Sequence, residues 1–341
     1  MPECERKTIW KQPENPTKSR EQMPKSLRAG KILNIINMKH YLFVILVIFT
    51  LVSCTDTPPQ IKGSDCLIYA VLSETDKTAY LVGINSINYV GDIIIGSEAI
   101  IENKKYKVVS IGINAFYNCR GIRSVKIPNT ITKISAYAFR YCNSLKSISL
   151  PNSITMIESG AFASSGIDSI IIPNSVKLIG GIAFEYCHNL SKITMSTAIT
   201  EIYSGTFYSC DKLSSFTIPD GVNGIGASAF YGCSSLKSIN IPSTVKKIGN
   251  SAFYYCAQLT SITIPNSVIS IDEFAFSYCS SIESVTVKAI TPPLLYGFGS
   301  NIFYSEVNNT YNKPLYVPKE SIELYKSANG WKLFSNISAI Q

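Results

Sequence analysis

Eight phenylalanines fall at near-constant spacing through the middle of the chain: Phe116, Phe139, Phe162, Phe184, Phe207, Phe230, Phe253 and Phe276. The intervals are 23, 23, 22, 23, 23, 23 and 23 residues. Alanine precedes the phenylalanine everywhere except at Thr206-Phe207. A fixed period of this size is the mark of a solenoid. The unit reads most clearly over 131–153: Ile131, Ile134, Ala138-Phe139, Cys142, Leu145, Ile148, Leu150, Pro151. Leu145-x-x-Ile148-x-Leu150 alternates as a short strand with one buried side. Proline closes it at Pro128, Pro151, Pro173, Pro219, Pro242 and Pro265, a position where a strand tolerates proline.

No unit can bury its apolar positions alone. Stacked in register, with strands about 4.8 Å apart, they share one continuous core. Eight coils then span roughly 34 Å from first strand to last. The composition agrees: 46% of the 341 residues are apolar and 16% charged, too apolar for a disordered chain. The expected fold class is an α/β-poor repeat solenoid. It is a leucine-rich-repeat-like stack of about eight 23-residue units with a parallel strand ladder, an N-terminal β cap and a C-terminal mixed cap.

The unit resembles the BspA-type leucine-rich repeats of bacterial surface proteins. Ala252-Phe253-Tyr254-Tyr255-Cys256-Ala257-Gln258-Leu259-Thr260-Ser261-Ile262-Thr263-Ile264-Pro265 fits each anchor of that pattern. Asn266-Ser267-Val268-Ile269-Ser270-Ile271 continues it, with Asp272 in place of glycine. The resemblance implies the solenoid fold and a link to surface adhesion and host contact, although a fold alone does not fix function.

The array is expected over 108–288. Residues 66–107 read as the N-terminal cap. Leu67–Leu72 and Thr78–Ile84 are strand candidates around a polar turn, and Asp92–Ile95 and Lys105–Val109 are expected to extend their sheet. The period fails after Val287, and Thr291-Pro292-Pro293 breaks the pattern. Residues 289–341 are therefore expected to form the C-terminal cap. It offers a strand at Leu315-Tyr316-Val317-Pro318, a short helix at Ser321–Lys326, and Trp331, Phe334 and Ile337 to cover the last coil. Open sheet edges invite association, so terminal coils need covering.

The N-terminus supplies an address. Tyr41–Thr50 is an apolar run of about ten residues, too short for a membrane span of roughly 20 and suited to a signal peptide. Leu51-Val52-Ser53-Cys54 follows it and resembles a bacterial lipobox, which implies cleavage before Cys54 and lipidation there. A start at Met38 gives a 16-residue signal over 38–53. Residues 1–37 read as an overextended gene model and 54–65 as an exposed tether. The net charge of +8 divides into +5 before residue 54 and +3 after it, which leaves no phosphate-binding footprint in the folded part. Nucleic acid is not an expected partner, and the membrane is met through the lipid only.

Seven cysteines form one column: Cys119, Cys142, Cys187, Cys210, Cys233, Cys256 and Cys279, interrupted by Ser165. An exported protein with many cysteines ordinarily suggests disulfides. In-register coils, however, leave neighbouring Cβ atoms about 4.8 Å apart, whereas disulfides favour about 3.8 Å. Buried free thiols are therefore expected. One thiolate per coil does not make a metal site. Cys66 lies outside the column. His188 follows Cys187 and is expected in a solvated turn, as is the acidic pair Asp272-Glu273. No nucleophile, phosphate-loop or zinc motif occurs, so neither catalysis nor a cofactor is expected.

Two surfaces remain for a ligand. The strand alternation turns Ser215, Thr217, Ser238, Asn240, Ser261 and Thr263 outward. Tyrosines follow the phenylalanines, with Tyr208, Tyr231, Tyr254 and Tyr255 as the candidate ridge. Tyrosine gives large contact area with few torsions to freeze. The expected protein is a surface-anchored, non-catalytic binding or adhesion lipoprotein whose partners are extracellular proteins or glycans. It is exported and lipid-anchored to the bacterial envelope, at the outer membrane or cell surface. The alternative is a periplasmic envelope scaffold. Cys54→Ser is expected to accumulate as unprocessed or unlipidated precursor and to wash off membranes in salt, whereas the wild type stays bound through several acyl chains. Fractionation after salt washing checks this, and equal release of both forms contradicts it.

Overall fold

The computed structural model describes residues 66–297, 301–305 and 309–341. Residues 1–65, including Cys54, the signal over 38–53 and the whole tether, lie outside the described residues. The described chain is a parallel-strand β-solenoid of about ten turns with little helix.

Each coil has the same three corners. A two-residue strand such as Lys133–Ile134 comes first, then a turn carrying the phenylalanine, then a three- to four-residue strand such as Ser215–Thr217. The short strands stack in parallel, Lys133 on Met156 and Met156 under Leu178, and again from Glu201 through Leu294. The longer strands form the second ladder, with Ser169 beside Lys192 and Ser261 beside Ser284. These strands are exposed, buried, exposed in sequence, which is the alternation expected of one covered side.

The turn is the most regular part. Residues two before and two after each phenylalanine take positive φ, from Asn114 and Asn118 to Phe274 and Tyr278. Only Gly160, Gly205 and Gly232 among these are glycines. Left-handed backbone costs an ordinary residue roughly 1–2 kcal/mol, and most for a β-branched one such as Ile182. What enforces it is the core. All eight phenylalanines are fully buried, and Phe303 joins them. Their rings form one continuous stack with centroids 5.1–5.7 Å apart and planes within 19° of parallel.

Phe303 corrects the expected end of the array. It lies 27 residues after Phe276 and follows Ile302 instead of alanine, so the period hides it. Its ring nevertheless stacks on Phe276 at 5.4 Å, and Phe276 N–H donates to Ile302 C=O. Leu294–Leu295 and Pro314–Val317 supply this ninth coil's strands, and Asn336–Ala339 adds a tenth strand. The ladder thus runs on past Val287 through a longer connection. The helix forms over Ile322–Ser327. Trp331, Phe334 and Tyr311 cover the last ring, Phe303. Their neighbourhood wastes no polar tip: Trp331 Nε1–H donates to Pro293 C=O and Tyr325 O–H to Ala289 C=O.

At the other end, β1 (Leu67–Ser73) and β2 (Thr78–Ile84) form the expected antiparallel hairpin. Two further strands, β3 (Gly91–Ile94) and β4 (Glu98–Ile101), precede β5 (Lys104–Ile111). β5 joins β2 in parallel and carries the sheet into the first ladder. β3 departs from expectation. It leaves the hairpin sheet and pairs in parallel with β6 (Ile122–Lys126), starting the second ladder. The hairpin cannot seed both ladders because they run along different sides of the coil.

Truncating Phe253 is expected to cost about 3–5 kcal/mol, because rings on both sides hold the cavity open. Phe116→Ala is expected to cost less, since Phe116 stacks on Phe139 alone. Equilibrium denaturation of the two variants tests this, and a smaller loss at Phe253 contradicts it.

Candidate ligand-binding surface

The chemistry inside the solenoid is committed to holding it together. Each phenylalanine N–H donates to the residue before the next phenylalanine, as in Phe207 N–H to Ala229 C=O at 2.8 Å. The phenylalanine carbonyl in turn accepts the thiol of the following coil. Cys142, Cys187, Cys210, Cys233, Cys256 and Cys279 donate to Phe116, Phe162, Phe184, Phe207, Phe230 and Phe253 at 3.1–3.2 Å. The cysteine column is therefore a row of small buried donors as well as apolar filler. All eight described cysteines are buried and outside any disulfide, Cys66 included. Ser165 fills the gap with its hydroxyl 3.5 Å from Cys187 Sγ.

Burial raises six of these thiols above their ordinary value near 9: Cys119 and Cys187 to about 11 and Cys233 to about 12, with Cys142, Cys210 and Cys256 also raised. Among the described residues no group of three or more His, Cys, Asp or Glu side chains converges on a metal position. His188 is exposed, with Nδ1 2.6 Å from Asp211 Oδ2 of the next coil. Asp272 pairs with Lys247 at 2.9 Å. His188 sits in a turn, as the sequence suggests, whereas Asp272 lies between a strand and a turn and is half-buried.

The tyrosines make a second stack, outside the first. Tyr208 lies flat on Tyr231 at 4.5 Å and 6°, and Tyr231 on Tyr254 at 4.8 Å and 10°. Tyr186, Tyr278 and Tyr304 extend the line by edge and tilted contacts. Burial pushes the Tyr208 phenol up to about 12, helped by Tyr186 and Tyr231. The inner faces of this stack are spent on one another, and the Tyr208 hydroxyl bonds to those of Tyr186 and Tyr231, which leaves the ring edges. Tyr255 stands apart, 52% exposed on its left-handed backbone.

The strand side is different. Ser215, Thr217, Ser238, Asn240, Ser261 and Thr263 are all exposed there. Two neighbouring grooves indent it. One, of about 560 Å³, runs over Ser147, Ser149, Ser169, Ile171 and Lys192. The other, of about 420 Å³, lies between Lys192, Thr194, Ser215 and Thr217. Lys192 and Thr194 line both. Of the six strand-side candidates, Ser215 and Thr217 line the smaller of these two grooves and the other four line neither. Ile171 and Lys192 line these grooves and are not among the sequence candidates. The signal was their departure from the serine and threonine columns: Ile171 is 70% exposed and Lys192 replaces a serine. The larger groove sits where 147–149 form no strand and meet the ladder only through a Lys126–Ser149 bridge.

These features define a capped parallel β-solenoid whose core is a phenylalanine stack and whose strand side is left to solvent. The BspA-type leucine-rich repeat region matches in six copies over 109–226 and 200–325. The chain belongs to that family. No curated protein matches it. Among solved structures it is similar to a leucine-rich repeat protein from Bacteroides ovatus, at 22% identity over 81% of this chain and 99% of that one, with a TM-score of 0.44. A leucine-rich repeat protein of T. pallidum is 22% identical over 67% and 91%, with a TM-score of 0.45. The pneumococcal vaccine antigen PcpA is 17% identical over 83% and 98%, with a TM-score of 0.38.

The native thiols are expected to resist alkylation at pH 8, and the eight described cysteines to react once the chain is denatured without reductant. The raised native values also set a pH dependence. Their stabilising effect is complete below about 9, where the unfolded thiols are protonated, and is lost as pH rises towards 11–12. Melting temperatures from pH 8 to 11 should therefore fall, less steeply in Cys233→Ala. A low thiol count after denaturation, or a flat pH profile, contradicts the assignment.

Proposed function

We propose that this protein is a surface-anchored, non-catalytic binding or adhesion lipoprotein that takes an extracellular protein or glycan on the strand side of its solenoid. The observation that carries the reading is the pair of grooves meeting at Lys192 and Thr194, set in a surface of outward hydroxyl and amide groups. That surface has no part in the core. The tyrosine stack serves as the rigid shoulder beside it, with ring edges as secondary contacts. The lipobox at Cys54 supports the anchor, and the family resemblance supports surface exposure.

Glycan and extracellular-matrix arrays with the mature domain provide the ligand. Thr194→Ala, Ser215→Ala and Thr217→Ala combined should then weaken binding tenfold or more, at about 0.5–1.5 kcal/mol per hydrogen bond. Tyr208→Ala, Tyr231→Ala and Tyr254→Ala combined should weaken it less if the variant stays folded. The reverse ranking moves the site to the tyrosines. Protease treatment of intact cells tests the location: protection until the envelope is breached replaces this reading with the periplasmic scaffold.

A further inference from the structure

We infer that the solenoid is two stiff blocks hinged at one step, between the coil of Phe184 and the coil of Phe207. Three backbone hydrogen bonds recur from coil to coil, and all three lapse there. The first runs through Lys177 N–H to Thr155 C=O and resumes with Asn223 N–H to Thr200 C=O, but Thr200 N–H does not reach Lys177. The second runs through Gly180 to Ile157 and resumes with Gly226 to Ile202, but Tyr203 N–H does not reach Ile179. The third runs through Ser191 to Asp168 and resumes with Lys237 to Ser214, but Ser214 N–H does not reach Ser191. Both strand ladders are interrupted at this step; among the described residues the short-strand ladder breaks only here, while the longer-strand ladder also breaks between Ser238–Asn240 and Ser261–Ile264 and around 147–149. The phenylalanine stack is at its widest there, 5.7 Å between Phe184 and Phe207.

One corner stays closed. Ile182, Phe184 and Tyr186 N–H still donate to Ser204, Thr206 and Tyr208 at 2.8–2.9 Å. His188 meets Asp211, and Lys212 Nζ donates to Asn189 Oδ1. The aromatic turn is thus the pivot, and the two strand sides are the opening edges.

The sequence gives a cause. Ser196 stands where six other coils have proline. Elsewhere that proline's carbonyl accepts the N–H three residues on, as Pro219 does from Val222, but Ile199 N–H does not return to Ser196. Ser196 Oγ instead donates to Val176 C=O at 2.6 Å and accepts Ala198 N–H. The first holds this turn to the preceding coil, as does Thr197 N–H donating to Asn174 Oδ1, and the second closes the turn on itself. On the following coil, Gly221 occupies the place of Ser153, Thr244 and Ser267, whose hydroxyls bond back to Ile131, Val222 and Val245. The link to Ile199 C=O therefore has no donor. A Cβ at Gly221 would lie 3.3 Å from that oxygen.

In a solenoid, stability is a sum of coil and neighbour terms, so one weak neighbour contact divides the array. The smaller groove straddles this step, with Lys192 and Thr194 on one block and Ser215 and Thr217 on the other. Movement at the hinge changes its width. That consequence rests on the binding role proposed above; the hinge itself does not.

Amide hydrogen exchange on the mature protein without ligand tests the hinge separately from any binding result. Thr200, Tyr203 and Ser214 are expected to exchange at least tenfold faster than Asn223, Gly226 and Lys237, which hold the same places one coil on. Equal protection overturns the proposal. Gly221→Ser should supply the missing donor and slow exchange at Thr200 and Tyr203 at least threefold. If that variant folds and exchange stays as fast, the weak corner is not the one named here. The wild-type comparison holds even if the variant fails to fold.

Discussion

The phenylalanine stack is the interaction on which the rest depends. Each ring lies on its neighbours, each N–H reaches the next coil, and each carbonyl between Phe116 and Phe253, Phe139 apart, takes a thiol from the coil that follows. That threefold attachment is strong enough to hold two left-handed residues per turn, most of them not glycine. The ring centroids are also spaced wider than the roughly 4.8 Å that paired strands prefer. The turn side stays bonded at every step from Phe116 to Phe303, and the strand sides are where pairing is interrupted.

This division of labour explains what is left for recognition. Thiols and phenylalanines are buried and mutually bonded, and the tyrosines over them are stacked face to face. The groups that no coil needs for its own assembly are the outward residues of the longer strands. Grooves appear on that side where the ladder is irregular, beside 147–149 and between the coils of Phe184 and Phe207. Departures from the repeat, not the repeat itself, give this surface its relief.

Much of the architecture was legible because periodicity reports burial directly. The Ala-Phe and cysteine columns, the strand alternation, the first hairpin and the helix near residue 322 all follow from residue spacing and local propensity. Phe303 was not legible, because a 27-residue interval and Ile302 in place of alanine break the local pattern while three-dimensional stacking restores it. The pairing of β3 with β6 was hidden for a related reason: strand character is local, but the choice of partner depends on which side of the coil the chain has reached.

The strand-side candidates were legible as outward residues, since alternation fixes which way a side chain faces. Their grouping was not. Lys192 joins two grooves, and Ser215 and Thr217 share one with it while Ser238 and Ser261 line neither, because the position of a groove depends on how neighbouring coils meet and not on which way a residue faces. The sequence by itself determined the coil, its core and its outward columns, since a 23-residue period leaves one way to bury the apolar set. The tertiary structure alone decided how firmly each coil meets the next. That depends on hydrogen bonds between residues some 23 positions apart, and replacements such as Ser196 for proline and Gly221 for serine act only once the coils are stacked.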